Sequence, residues 1–100
     1  MVRYSLSQEA QDDLESIGEY ILRHNPVRAV SFVDELIARF SVIAERPRSF
    51  RSREELLVGL RSANHGKYLI LFRADQGFVK ILRVVHGARN LIQLLNEPQS

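Results

Sequence analysis

Three basic side chains surround a turn at the end of the most strongly β-branched stretch of the sequence. Gly87 permits a sharp turn directly after His86. Arg83 precedes this turn and Arg89 follows it. Arginine and histidine side chains are suited to contacting anions such as phosphate groups. A buried strand that delivers basic residues to a turn is a common way to build a site, so we consider this turn a candidate anion site.

Other kinds of site have little support in the sequence. The chain has no cysteine, which excludes disulfides and thiolate chemistry and fits a reducing cytoplasm. Its three histidines are scattered without companion ligands, so we expect no metal site and no cofactor. No apolar run approaches the roughly 18 residues of a membrane span, and the N-terminus lacks the apolar region of a secretion signal. We therefore expect a cytoplasmic protein that does not associate with membranes.

The net charge of +2 hides an uneven distribution. Residues 1–45 hold four arginines against eight acidic residues, a net charge of −4, whereas residues 46–100 hold ten Arg or Lys against four acidic residues, a net charge of +6. Such asymmetry suggests that an anionic partner meets the second half of the chain. From charge alone, however, we favour the alternative, a solvated surface whose charges merely segregate.

The first half of the chain predicts a short strand and two amphipathic helices. After the strand Val2–Leu6, Ser7 is a good N-cap, and one helix face then carries Ala10, Leu14, Ile17 and Ile21. This helix should end near His24, and Asn25-Pro26 should begin the next one. A wider apolar stripe follows in that helix: Ala29, Phe32, Val33, Leu36, Ile37, Phe40 and Ile43. The short link between the helices predicts an αα-hairpin.

The second half predicts three strands in a meander, over residues 56–62, 67–73 and 78–85, with a short helix over residues 91–95. The element order is then β-α-α-β-β-β in one α+β domain over residues 1–100, with the hairpin packed on a small antiparallel sheet. Because two helices return the chain to its starting end, we expect the strand 56–62 to run opposite to the first strand.

Strand periodicity also predicts which side chains face the helices. If Val58 and Leu60 face the helices, Arg61 faces away from them. If Tyr68, Ile70 and Phe72 face inward, Lys67 and Arg73 share the open face with Arg61. In the last strand Arg83 has the opposite parity to Lys80 and His86, so all three can be open only if a bulge shifts the register. Three acidic residues of the first helix, Asp12, Asp13 and Glu15, are expected to form a solvated face.

At this level of detail the sequence resembles the ParE branch of the RelE/ParE toxins over nearly its whole length. The segments that carry the resemblance are Leu57–Ser62, Gly66–Arg73 and Ile81–Asn90. The block Arg-Val-Val-His-Gly-Ala-Arg at residues 83–89 is the most specific of them. Residues of the first half also agree with it: Ala10, Asp13, Leu14, Ile17, Tyr20, Ile21, Pro26, Ala29, Phe32 and Pro47.

The resemblance implies the toxin of a type II toxin-antitoxin pair. Members of this branch inhibit DNA gyrase without catalytic activity of their own, and a ParD-like ribbon-helix-helix antitoxin neutralises them by direct binding. Sequence-specific DNA binding would then come only through the antitoxin. The alternative is a ribosome-dependent mRNA endoribonuclease of the RelE type, and a third possibility is a degenerate toxin that retains only antitoxin binding.

The resemblance also suggests roles for individual residues. Arg61, Arg73, His86 and Arg89 are candidates for binding the target, and Arg61, His86 and Arg89 would be the catalytic residues of a nuclease. The chain lacks the lysine pair and the final tyrosine of RelE, so this acid/base set is incomplete. For Arg83 we favour a structural role, and for Arg61 and Arg89 both roles remain open. Six apolar residues of the hairpin are expected to bind the antitoxin: Leu14, Ile17, Ile21, Phe32, Leu36 and Phe40.

Overall fold

The computed structural model describes residues 3–87 and Leu91, which form an α+β fold of two layers. Strand β1 (Tyr4–Leu6) is followed by helices α1 (Gln8–His24) and α2 (Pro26–Glu45). After a 3₁₀ turn (Pro47–Ser49), four strands complete the chain: β2 (Arg51–Ser52), β3 (Leu60–His65), β4 (Tyr68–Asp75) and β5 (Phe78–His86). Apart from Leu91, the predicted terminal helix lies outside the described residues. Within those residues, no helix combines the length and apolar character needed to cross a lipid bilayer.

Side-chain caps set the boundaries of the helical hairpin. The Ser7 Oγ accepts a hydrogen bond from the Ala10 N–H at 3.0 Å and so begins α1. The Asn25 N–H closes α1 on the Ile21 carbonyl, while its side chain accepts from the Arg28 N–H at 3.3 Å and begins α2. Pro26 occupies the first position of α2, where its missing N–H leaves no bond unmade. The predicted hairpin and its boundaries are confirmed.

The sheet has five strands in the order β1-β5-β4-β3-β2. β1 pairs in parallel with β5, with Tyr4 opposite Val79, whereas each of the other three pairs is antiparallel. The α+β class is confirmed, but the sheet is mixed rather than antiparallel as predicted. The parallel pair follows because the two helices return the chain to an edge strand, β2, that runs opposite to β1, and three successive reversals then leave β5 parallel to β1.

The strand predicted over residues 56–62 begins only at Leu60. Residues 53–59 form a turn in which the Leu56 N–H bonds to the Arg53 carbonyl and Gly59 has a φ of 77°. The short β2, which was not predicted, runs antiparallel to β3. The chain therefore reverses direction once more than expected. As a result β3 runs in the same direction as β1, and the predicted opposite orientation is wrong.

The main core lies between the hairpin and the sheet. Its buried members come from both layers: Ala10, Ile17, Phe32, Leu36, Phe40, Ile43, Ala63, Ile70, Phe72, Val79, Ile81 and Val84. A smaller cluster of Leu60, Leu71 and Val85 covers the opposite face of the sheet, and Leu91 packs against it. Both faces of the sheet are thus partly apolar.

This arrangement corrects part of the predicted strand orientation. Ile70 and Phe72 face the helices, with Tyr68 packed beside them, as predicted. Leu60, in contrast, belongs to the cluster on the far face, and Val58 lies in the turn with 75% of its surface exposed. Because side chains alternate along a strand, Arg61 faces the helix side together with Ala63. The prediction that Arg61 faces away from the helices is wrong.

Candidate functional site

Arg83 joins the end of the sheet to α1. Its Nε and Nη2 donate to the two carboxylate oxygens of Asp13 at 2.8 and 3.0 Å, and the Val84 N–H donates to the same carboxylate at 2.9 Å. A register shift between Leu71 and Phe72 in the β4–β5 pairing places these groups at the edge of β5 beyond the end of β1. Only 15% of the Arg83 side chain and 14% of the Asp13 side chain are exposed. The structural role favoured for Arg83 is thus supported, and Asp13 is not part of a solvated face.

Arg61 and His86, the two central groups of the predicted site, lie far apart. Arg61 is opposite Phe72, and its Nη1 donates to the Phe50 carbonyl at 2.8 Å. His86 is opposite Tyr68, with the two rings 5.7 Å apart. Four residues along β4 and two strand spacings therefore separate them, which corresponds to about 16 Å between their Cα atoms. The side chains cannot act together on one phosphate group.

The remaining predicted target-binding residues do not complete this site. Arg73 follows Phe72 and so lies on the opposite face of the sheet, where its Nε and Nη2 donate to the Val58 carbonyl at 3.2 and 2.8 Å. This contact ties the turn 53–59 to β4. Arg89 lies outside the described residues. The structure therefore distributes Arg61, Arg73 and His86 over three places rather than one.

A second polar cluster connects α2 to the turn between β3 and β4. Arg28 makes two hydrogen bonds to Glu35, at 2.6 and 3.1 Å, and the His65 Nε2 lies 3.0 Å from Oε1, which also accepts one of the Arg28 bonds. The Phe32 ring packs against both the Arg28 guanidinium and the His65 ring. The hydrogen bonds from Arg28, and then from His65, lower the pKa of Glu35 to about 2.

This low pKa predicts a defined pH dependence of stability. The Glu35 carboxylate stabilises the fold above its usual pKa of 4.5, and this contribution is lost as the pH falls towards 2. In denaturant unfolding, Glu35→Gln should therefore be less stable than the wild type at pH 7, with the difference shrinking below pH 4.5. The neighbouring exposed Asp34→Asn is the control, and its effect should not change in this way. An effect of Glu35→Gln that is the same at pH 7 and pH 3 would contradict the prediction.

The six residues expected to bind the antitoxin belong to the core. Leu36 and Phe40 have no exposed surface, Ile17 and Phe32 are buried, and Leu14 and Ile21 pack against the same cluster. These side chains hold the hairpin on the sheet, so a partner cannot reach the fully buried ones while the hairpin is in place. The sequence pattern identified the stripe that contacts the sheet rather than a surface for a partner.

An exposed apolar surface lies instead on the outer side of the hairpin. Val30 and Leu22 are 70% and 55% exposed, and with Gly18, Ala29, Val33 and Asp34 they line a shallow hollow of about 330 Å³. Val27 and Ile37 extend the exposed apolar surface along α2. We call this region the outer hairpin face. A contiguous exposed apolar region of this kind typically marks a protein interaction site. Its sequence signal is the presence of apolar residues on both sides of α2.

A cavity of about 560 Å³ lies at the free edge of β3, beyond the end of β2. Four cationic residues line it: Arg39, Arg51, Arg53 and Lys67. Neutral hydrogen-bonding groups of Ser49, Ser62 and Asn64 line it as well. We call it the cationic cavity. Sequence reasoning did not find it, because its basic residues come from α2, the β2 region and the β3–β4 turn, which only the fold brings together.

Comparison with known proteins identifies the family of this chain. The family model of the ParE toxin of type II toxin-antitoxin systems (parDE) matches residues 4–91. Toxin ParE1 of Caulobacter vibrioides is 33% identical over 91 residues, which cover 90% of this chain and 94% of that protein. The range matched by the family model includes both helices and all five strands.

Solved structures share the fold. A chain of the chromosomal ParDE toxin-antitoxin system of P. aeruginosa superposes with a TM-score of 0.72 at 18% identity, over 86% of this chain and 96% of that one. A chain of the RelBE2 toxin-antitoxin complex of Mycobacterium tuberculosis gives a TM-score of 0.57 at 27% identity, over 85% of this chain and 96% of that one. With the family model and the Caulobacter relative, the conclusion is direct: this chain belongs to the ParE toxin family of type II toxin-antitoxin systems.

Proposed function

We propose that this toxin inhibits DNA gyrase by binding and that a ParD-like antitoxin neutralises it by covering the outer hairpin face. The observation that carries the first part is the membership in the ParE family over residues 4–91. The geometry of the basic residues supports it. RNA cleavage needs a base, an acid and cations around one phosphate, and the separation of about 16 Å between Arg61 and His86 does not provide this arrangement.

An assay with two arms tests the proposed target. Purified toxin is expected to inhibit the supercoiling of relaxed plasmid by gyrase and to increase the amount of cleaved DNA. In a reconstituted translation reaction, a defined mRNA should remain intact. The nuclease alternative would be favoured if gyrase stays active and the mRNA is cleaved at specific codons. This cleavage should then be lost in Arg61→Ala. If neither gyrase nor the mRNA is affected, the gyrase proposal fails and a degenerate toxin is indicated.

The outer hairpin face supports the proposed mode of neutralisation. Its exposed apolar residues, Leu22, Val27 and Val30, have nothing packed over them within the described part of the chain. The ParDE and RelBE2 structures that share this fold are toxin-antitoxin systems. An amphipathic antitoxin helix whose apolar side chains enter the hollow beside Val33 would bury this surface.

Charge introduced into the hollow should therefore weaken antitoxin binding. Val30→Asp places an unpaired carboxylate in an apolar interface, and we expect the dissociation constant to rise at least about 100-fold. Its stability should stay within about 0.5 kcal/mol of the wild type because Val30 is exposed. Ser16→Asp, which adds the same charge at an exposed position of α1 outside the hollow, is the matched control and should bind normally. Equal binding by both variants in calorimetric titration would place the antitoxin elsewhere.

A further inference from the structure

The cationic cavity concentrates positive charge that a nearby acidic residue, Glu55, neutralises only in part. Four cations line it, and none of its described lining residues is acidic. One of the four, Arg53, is paired with Glu55 at 2.9 Å, outside the lining. Arg51 and Lys67 are exposed and make no ion pair with a described residue. Like charges that share a concave surface repel one another, so an anion that enters the cavity lowers the energy of the whole cluster.

The structure also orients one of these cations, Arg39, before any ligand arrives. The Arg39 Nε donates to the Asn64 carbonyl at 3.3 Å, and its guanidinium lies 5.1 Å from the centre of the Phe50 ring. These described contacts leave its two terminal nitrogens able to donate to a ligand. Lys67 stands in the β3–β4 turn, where its carbonyl accepts from the Gly87 N–H at 2.8 Å. A positioned guanidinium loses less side-chain entropy on binding an anion than a free one.

The spacing of the cations suits a chain of phosphates. Arg51 pairs with Ser62, and Lys67 lies just beyond His65 at the end of the same strand. The three residues from Ser62 to His65 span about 10 Å. One phosphate cannot bridge this distance, whereas successive phosphates of a nucleic-acid strand can. The neutral groups of Ser62 and Asn64 supply further donors between the cations.

We propose that the cationic cavity binds the phosphodiester backbone of a nucleic-acid strand without cleaving it. Neither a carboxylate nor an imidazole is present among the described lining residues. The contacts are all to phosphate, so binding should not depend on base sequence. This proposal is independent of gyrase, because the binding can be measured with the toxin alone.

Fluorescence anisotropy with a labelled single strand of twelve thymidines tests the proposal on the full chain. If Arg39, Arg51 and Lys67 each neutralise one phosphate, the slope of log K against log salt should be about −2. The affinity should then fall about 20-fold between 50 and 200 mM NaCl. A uridine strand of equal length should bind equally well, because only the backbone is contacted. No measurable binding of either strand at 50 mM NaCl would overturn the proposal.

Matched charge removals then locate the site. Lys67→Gln is expected to weaken binding at least fivefold at low salt and to reduce the slope by about 0.7. Lys80→Gln removes the same charge from β5, opposite Arg73 and about 20 Å along β4 from Lys67, and should bind within twofold of the wild type. Equal losses in the two variants would show attraction to overall charge and overturn the site. If inorganic phosphate displaces the strand more than its ionic strength explains, the ligand of the cavity is a small anion rather than a nucleic-acid strand, and the proposal is overturned. Thermal unfolding confirms that both variants fold.

Discussion

Phe40→Ala is expected to cause the largest loss of stability of any single substitution considered. Phe40 has no exposed surface and packs edge-on against Tyr4 with ring centres 5.7 Å apart, so it joins α2 to the first strand. Removing its ring leaves a cavity in the main core, which destabilises by about 3–4 kcal/mol. For a domain of this size, the melting temperature should fall by about 15–25 °C.

Leu22→Ala is the control for this prediction, since it also removes a large apolar side chain from the hairpin. Leu22 is 55% exposed on the outer hairpin face, and its loss should change the free energy of unfolding by less than about 0.5 kcal/mol. Calorimetry of the two variants checks the assignment of Phe40 to the core. A Phe40→Ala protein as stable as the Leu22→Ala protein would mean that the hairpin does not pack on the sheet as described.

Asp13→Ala is expected to have the second largest effect, about 2–3 kcal/mol of lost stability. Its carboxylate accepts two hydrogen bonds from Arg83 and one from the Val84 N–H, and both side chains are largely buried. Alanine removes all three bonds and leaves the Val84 N–H at the edge of β5 without this acceptor. Denaturant unfolding of the variant measures the loss.

Two further substitutions separate the charge from the hydrogen bonds. Asp13→Asn keeps one acceptor oxygen for the Val84 N–H but loses the charge, so its loss should be about half as large. Asp12→Ala removes an exposed carboxylate one position away, whose contact is a hydrogen bond from Gln8, and should change stability by less than about 0.5 kcal/mol. Equal effects of Asp12→Ala and Asp13→Ala would refute the role given to Asp13.

The helical hairpin could be predicted from local sequence because local interactions determine it. The Ser7 and Asn25 caps, Pro26 at the first position of α2 and the apolar spacing of both helices act within a few residues of one another. The same holds for the β4–β5 hairpin, where Gln76 and Gly77 adopt positive φ in the turn. Each of these features is complete within a short window of the chain.

Long-range features escaped the sequence analysis. The turn 53–59 resembles a strand in its apolar residues, but Leu57 and Val58 are exposed and the Arg73 side chain holds the turn from a distant strand. The contact between Asp13 and Arg83 spans 70 positions, so helix periodicity alone placed Asp13 with the solvated acids. The bulge in β5 was predicted only as a condition, from the opposite parity of Arg83 to Lys80 and His86, because its presence depends on the pairing with β4.

The candidate sites show the same limit. The predicted set of Arg61, Arg73 and His86 is divided between two faces and two ends of the sheet. For the partner surface, an apolar stripe at helical spacing marks what is buried in the free protein. A partner can bind only the apolar surface that stays exposed after the core is formed. Distinguishing this surface from the buried stripe requires the fold.

A gyrase assay with added antitoxin tests the central claim most directly. Wild-type toxin should stop supercoiling, and the proposed ParD-like antitoxin should restore activity when added in excess. Val30→Asp toxin should also stop supercoiling, but the antitoxin should fail to restore it, because only the outer hairpin face is altered. Full gyrase activity at saturating wild-type toxin, or complete rescue of gyrase from the Val30→Asp toxin, would contradict the account.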